Sequence, residues 1–331
     1  MNKYTVAIIG AGSIGALKDD QYDKPGGDAI LTHAHAFHTH PETKILGFID
    51  TDLSKAEQAL RKWGGGWGRK IEDPIKQYGV TPDIIIVATP TETHERVLLD
   101  LLKLDPLPKL VVAEKPFCST LKQASWVKAQ YDNAGIPILV DYIRRFEYAT
   151  MGILTQIRDG EFGKVFHARC LYGRGLRRDG CHAIDLFNYT FGHLTGMEIH
   201  HNTAIHDGEP GDLTYNLQLH YDRCYDVQML GVDSRIYGLF ELEFVTEKAI
   251  IHFHDWGKWI RIYCPDDEET YGQYKALGRK EGQLLQTGLS TALLHMADNC
   301  VRYLNGSEPL LCTADDAVRV HRILENVKGV E

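Results

Sequence analysis

The stretch YTVAIIGAGSIG at residues 4–15 constrains the fold more than any other in the chain. A β-branched run leads straight into Gly10-x-Gly12-x-x-Gly15. Glycines at that spacing serve a tight turn, a close backbone approach to a pyrophosphate, and close helix–strand packing. The phosphates then rest on free amides at a helix start. Gly10, Gly12, Ser13, Ile14 and Gly15 are therefore expected to bind a dinucleotide. A second strand, TKILGFIDTD, carries Asp50 at its end. An acid there suits the ribose hydroxyls of NAD, and no arginine follows before Arg61, so NAD is expected rather than NADP. The bland alternative is that Asp50 or Asp52 only caps the next helix.

From Gly15 to Asp50 is much further than the usual ~20 residues. The excess falls in KDDQYDKPGGDAILTHAHAFHTH, and residues 18–31 read as an insertion between the phosphate turn and the rest of the first helix, a lid or substrate-side loop. His33, His35, His38 and His40 follow it at spacings that match no standard zinc pattern, so solvated or hydrogen-bonded histidines are expected and no metal.

Three further strands follow, in TPDIIIVATP, KLVVAEKPF and IPILVDYIRRF, each separated from the next by a helical segment. That alternation predicts a doubly wound, mainly parallel sheet, with ligands outside the carboxyl ends of its strands. ATPTETH and Glu114-Lys115-Pro116 lie at such ends. A lysine at a strand exit, over the nicotinamide end of the site, can trade a proton with a substrate hydroxyl or carbonyl; the alternative is an exposed lysine before a turn.

Past residue 167 the texture changes to alternating, aromatic-rich segments such as LTYNLQLHYD and GLFELEFVTEKAIIHFH, the pattern of antiparallel strands with one exposed face. Within this half, GRGLRRDGCHAIDL places His182 and Asp185 one turn apart at a helix start. An imidazole there can take a hydroxyl proton while Lys115 stabilises the alkoxide, or the roles can be exchanged. Arg174, Arg177 and Arg178 cluster in this segment, with Arg144 and Arg145 expected nearby. Arginines suit bidentate recognition of a carboxylate or phosphate, so Arg145, Arg174 and Arg178, with His182, are expected to bind an anionic substrate; the alternative is pairing with the protein's own acids. Thr313, three residues before Asp316, forms an imperfect capping box for a closing helix.

Taken together these residues resemble the Gfo/Idh/MocA oxidoreductase family. The likeness rests on IIGAGSIG, FIDTD, IIVATPTETH, AEKPF, DYIRRF, GCHAIDL and LNGSEPLLCTADDAVRVHRILENV, and spans nearly the whole chain outside the insertion. It implies an α/β architecture: an N-terminal Rossmann domain over residues 1–122, to which a final strand at about 136–142 returns, and a C-terminal domain over 123–331 with a large, open, mainly antiparallel sheet for substrate binding and assembly into dimers or tetramers. It also implies NAD(P)-dependent redox chemistry at a carbinol carbon of a sugar, sugar acid, nucleotide sugar or cyclitol. By the same resemblance Lys115 is the catalytic lysine, and Thr89, Pro90, His94 and Glu114 belong to the cofactor side. The family pattern Asp-x-Gly-x-His is broken here, because Arg178 stands at the acid's position and Asp179 one place later. Either Asp179 takes over through a shifted turn, or the site has lost an acid and gained a cation.

A formal net charge of −9 argues against a nucleic-acid or anionic-membrane partner. Seven scattered cysteines without a Cys-x-x-Cys suggest free thiols in a reducing compartment. The chain passes directly into its first strand, and no apolar run approaches bilayer length, so a cytoplasmic protein is expected. Two other activities fit the same fold: a glycosidase using transient oxidation with tightly held NAD, and a non-enzymatic NAD-binding sensor.

Overall fold

The computed structural model describes residues 3–278 and 282–328. The chain divides into two compact units, residues 1–146 with 290–322, and residues 147–289 with 323–331. The first unit holds β1 (Tyr4–Ile9), α1 (His33–Thr39), β2 (Thr43–Ile49), α2 (Leu53–Trp63), β3 (Gly66–Gly68), α3 (Glu72–Tyr78), β4 (Ile84–Val87), α4 (His94–Leu101), β5 (Leu110–Glu114), α5 (Leu121–Ala134) and β6 (Ile138–Asp141). Its six strands are all parallel, in the order β3-β2-β1-β4-β5-β6. β4 and β5 are buried at every residue, as expected of parallel strands covered on both faces. The order reverses between β1 and β4, so the turns leaving those strands flank the crevice where such sheets take ligands.

The unit boundary falls after Phe146, later than residue 122. α5 is the crossover that returns the chain to β6, so it cannot be detached from this sheet.

The insertion lies between the phosphate turn and α1, and the hydrogen-bond ladder resumes across it. The amides of Ala16 and Leu17 bond to the Gly12 carbonyl, and those of His33 and Ala34 then bond to Ile14 and Gly15. His33 thus takes the place in the helical ladder that residue 18 would hold, and residues 18–32 are looped out. Without them Gly15 and Asp50 regain the usual spacing of about 20 residues. The loop is tied at its base. The Asp23 carboxylate accepts bonds from the Leu31 amide, the Thr32 hydroxyl and the His35 ring at 2.7–2.9 Å. The Lys62 ammonium donates to the carbonyls of Lys18 and Asp23.

The second unit holds α6 (Tyr148–Arg158), β7 (Val165–Tyr172), α7 (Cys181–Phe191), β8 (Leu194–Ile205), β9 (Thr214–Tyr221), β10 (Val227–Gly231), β11 (Phe240–Thr246), β12 (Ile250–His254), β13 (Trp259–Tyr263), β14 (Pro265–Tyr271), β15 (Tyr274–Leu277) and β16 (Gln283–Gln286). Eight strands form one sheet, β16-β13-β12-β11-β7-β10-β9-β8, antiparallel except where β10 runs parallel to β7. Alternate residues of β7, β9, β11, β12 and β13 are buried, which is why this half reads as alternating in sequence.

Two helices complete the chain, α8 (Ala292–Leu304) and α9 (Ala314–Lys328). The Asp316 carboxylate accepts the Thr313 amide and hydroxyl, the capping expected there. Gly329, at the end of the stretch expected to form the closing helix, lies outside the described residues. Among the described residues no helix is long and apolar enough to cross a membrane. The seven cysteines are free, six of them buried and Cys264 exposed.

Candidate active site

The three glycines of the first turn are held to three different purposes. Gly10 has φ +95°, and a Cβ on it would lie 2.4 Å from the Ala88 carbonyl oxygen. A Cβ on Gly15 would lie 1.9 Å from the Gly10 carbonyl oxygen. Around Gly12 a Cβ would meet nothing within 4 Å. Two glycines close the turn and the third leaves its outer face open, the cradle that a pyrophosphate requires. Ser13 and Ile14 lie exposed on the same turn. Asp50 braces it: one carboxylate oxygen accepts the Ala11 amide and the other the Asp52 amide, both at 2.9 Å. Helix capping falls to Asp52, which accepts the Ser54 amide. A carboxylate has about four acceptor positions, so Asp50 keeps capacity for ribose hydroxyls. These residues fit a dinucleotide.

Across the crevice, Thr89 is half-buried and Pro90 exposed. His94 is fully buried, with one ring nitrogen 2.8 Å from the Thr89 carbonyl and the other 3.2 Å from that of Phe117. It ties together the loops that carry Thr89 and Phe117.

Lys115 is half-buried directly after β5. Behind it lies a dry polar cluster that the sequence did not announce. Glu114 and Asp141 are paired neighbours on β5 and β6. The Nε2 of His33, with no exposed surface, lies 2.9 Å from Glu114 and 3.7 Å from Asp141. Each residue offers one ligand atom, all within 4.8 Å of one another; the His33–Glu114 distance is that of a hydrogen-bonded ion pair. Burial pushes the His33 ring towards neutrality, but the Glu114 hydrogen bond and charge outweigh it and hold the imidazole more basic than usual. Burial likewise opposes the Glu114 charge, which His33 nonetheless holds below the usual carboxylate range. Asp141 is raised to about 7 by burial and then by the Glu114 charge.

A stability prediction follows from Asp141. Its proton stays on in the folded chain up to about pH 7, whereas unfolding returns the group to its ordinary value near 3.8. The folded state therefore binds the extra proton between those values, and stability falls as pH rises through that window. His33 acts in the same direction: its contribution is complete below the ordinary histidine range and is lost as pH climbs through its raised folded value. Asp141→Asn cannot carry the charge. Its unfolding free energy from urea titration should match wild type near about pH 4 and exceed it near about pH 8, by an increment on the order of 2 kcal/mol, with the urea midpoint moving the same way. Equal midpoints at both pH values would contradict the assignment.

In the second unit, the segment before α7 is held by two aspartates. Asp207 accepts the Arg174 amide at 2.8 Å and Asp212 accepts the amides of Arg177 and Arg178 at 2.8 and 2.9 Å. Residues 176–180 form a single π-helical turn, which leads into α7. His182 and Asp185 are both buried on the first turns of that helix, and His182 meets the edge of Phe240 with ring centroids 6.5 Å apart.

Arg174 and Arg178 are half-exposed and pair with the protein's own acids. Arg174 pairs with Asp179 at 3.5 Å and lies over the Trp256 ring. Arg178 pairs with Glu209 at 3.0 Å. Arg145, in the first unit, is buried, donates to the Leu311 carbonyl and lies 4.0 Å from Asp316. Of the arginines expected to bind an anionic substrate, Arg174 and Arg178 thus pair with local acids, the alternative that the sequence also offered, and Arg145 with a carbonyl and Asp316. Asp179, the acid expected to take over the family position, is the residue that Arg174 approaches.

Residues 4–142 match the family model for Gfo/Idh/MocA oxidoreductases with an NAD-binding Rossmann fold. Among curated proteins the chain is 26% identical to a scyllo-inositol 2-dehydrogenase (NAD(+)) of Bacillus subtilis over 162 residues, 48% of this chain and 44% of that one. It is 28% identical to a D-glucoside 3-dehydrogenase of Escherichia coli over 178 residues, 53% of this chain and 44% of that one. The aligned part is thus less than half the length of either relative. Among solved structures, a dehydrogenase from Chromobacterium violaceum superposes with a TM-score of 0.78 at 15% identity, covering 100% of this chain and 96% of that one. That likeness is one of fold.

Proposed function

From the match of residues 4–142 to the Gfo/Idh/MocA oxidoreductase family model, we propose that this protein is an NAD-dependent dehydrogenase or reductase of that family, acting on a secondary alcohol or ketone of a neutral polyhydroxylated ring, a cyclitol or glycoside. The observation that carries this is Lys115 at the exit of β5, on the same sheet edge as a phosphate turn built from Gly10, Gly12 and Gly15. When bound, the dinucleotide supplies the two-electron chemistry. Asp50 holds its ribose and prefers NAD, because a carboxylate repels a 2′-phosphate. Lys115 takes the hydroxyl proton during oxidation and returns it during reduction. His182, oriented by α7, is the second proton-handling group, with Asp185 one turn behind it. The self-paired arginines are the reason for choosing a neutral substrate, and the two curated relatives are named for inositol and glucoside chemistry. Assembly through the open eight-stranded sheet belongs to the same proposal.

The test is a titration with NADH and NADPH followed by nicotinamide fluorescence, then a turnover panel of inositols, methyl glucosides, sugar acids and a nucleotide sugar. NADH should bind more tightly, and the neutral members should turn over fastest. Turnover confined to acidic members would overturn the substrate assignment. Tight NADH binding without turnover would favour a sensor, and glycoside hydrolysis without net NADH formation would favour the glycosidase chemistry.

A further inference from the structure

The cluster of His33, Glu114 and Asp141 is more than a packed polar contact. His33 is the residue at which the looped-out segment 18–32 rejoins the helical ladder, its amide bonded to the Ile14 carbonyl. Thr32, immediately before it, caps α1 and is held by Asp23, so the imidazole is fixed from the insertion side. On the other side, Glu114 divides its carboxylate: one oxygen takes the His33 ring at 2.9 Å, the other the Lys115 backbone amide at 3.2 Å. Asp141, in register on the next strand, is the second acid. The His33 Nδ1 and one Asp141 oxygen are buried without a hydrogen-bond partner. Two neighbouring carboxyls out of water cannot both ionise without a counter-charge.

We propose that His33 is a positioning residue for Lys115: by holding the Glu114 carboxylate in this cluster it fixes both the backbone and the local charge at the lysine, and so couples the insertion to proton transfer. The proposal rests on Lys115 being the proton-transfer residue. The other titratable groups that bear on the cluster are Lys115 itself and His94, both acting on Glu114, and Cys300 on α8, which senses Asp141.

The experiment uses the full-length protein with the panel polyol of highest turnover. His33→Gln keeps a donor but no charge. It should bind NADH within about threefold of wild type and lose roughly tenfold or more in kcat, the equivalent of about 1.4 kcal/mol. Its pH–rate profile should move as well. The double variant with Glu114→Gln restores an uncharged donor–acceptor pair; it should not restore kcat. Full recovery of kcat and of the pH profile in that double variant would overturn the proposal, since a hydrogen bond would then suffice. Two readouts do not depend on folding of the double variant, and the first of them is independent of activity. Carbon-13 NMR of the His33 ring should show a raised titration in wild type that falls in Glu114→Gln, and Asp141→Asn alone should shift the pH–rate profile. An ordinary His33 titration would equally overturn the proposal. Undiminished kcat in Lys115→Ala would instead sink the parent reading, while the NMR result would still report on the cluster.

Discussion

Replacing Lys115 by alanine should lower kcat by about 10²–10⁴-fold, the span expected for losing a general acid–base. The proposed dinucleotide site rests on the phosphate turn and Asp50, so NADH affinity should stay near the wild-type value. The lysine is half-buried at the end of a strand whose five residues are all buried. Its removal also takes a positive charge from beside Glu114 and Asp141, so turnover should fall far more than cofactor affinity. Stopped-flow measurement of hydride transfer, in parallel with fluorescence titration, separates the two. A variant that keeps its turnover would leave Lys115 as a surface residue before a turn.

Gly15→Ala should act on the other half of the chemistry. A Cβ there would meet the Gly10 carbonyl oxygen at 1.9 Å, a contact with backbone that cannot swing aside. Forcing an atom into such a place costs about 1–3 kcal/mol by the usual overpacking scale, or roughly ten- to hundredfold if spent on cofactor affinity. Gly12→Ala is the control. Space is open around it without ligand, so its thermal midpoint should stay unchanged while NADH affinity falls. Equal effects of the two substitutions on the apo protein would contradict the division of labour among the glycines.

Much of the first unit was readable along the chain because its signals are local. Strand runs, helix stops and the glycine spacing each depend on neighbouring residues, and they led to a parallel sheet with five of its strands, but not to β3 or to the strand order. Asp52 as the cap, and Asp50 as the brace, required coordinates. The arginines illustrate a different limit: Arg174 and Arg178 looked like a receptor because their acids, Asp179 and Glu209, were not identifiable as partners from spacing. His33 was read only as one of four histidines, since nothing local tells that Glu114 and Asp141 will converge on it.

The sequence by itself therefore determined the two types of sheet, the phosphate turn and the placing of Lys115 at a strand end. Periodicity and turn chemistry act over a few residues and survive without a fold. Only the tertiary structure decided that residues 18–32 loop out of a continuous helical ladder, that the arginines serve the protein's own acids, and that a buried imidazole stands between two carboxyls behind Lys115. Those outcomes depend on which distant groups are brought together out of water, where a few ångströms decide whether charges pair, share a proton or reach a substrate.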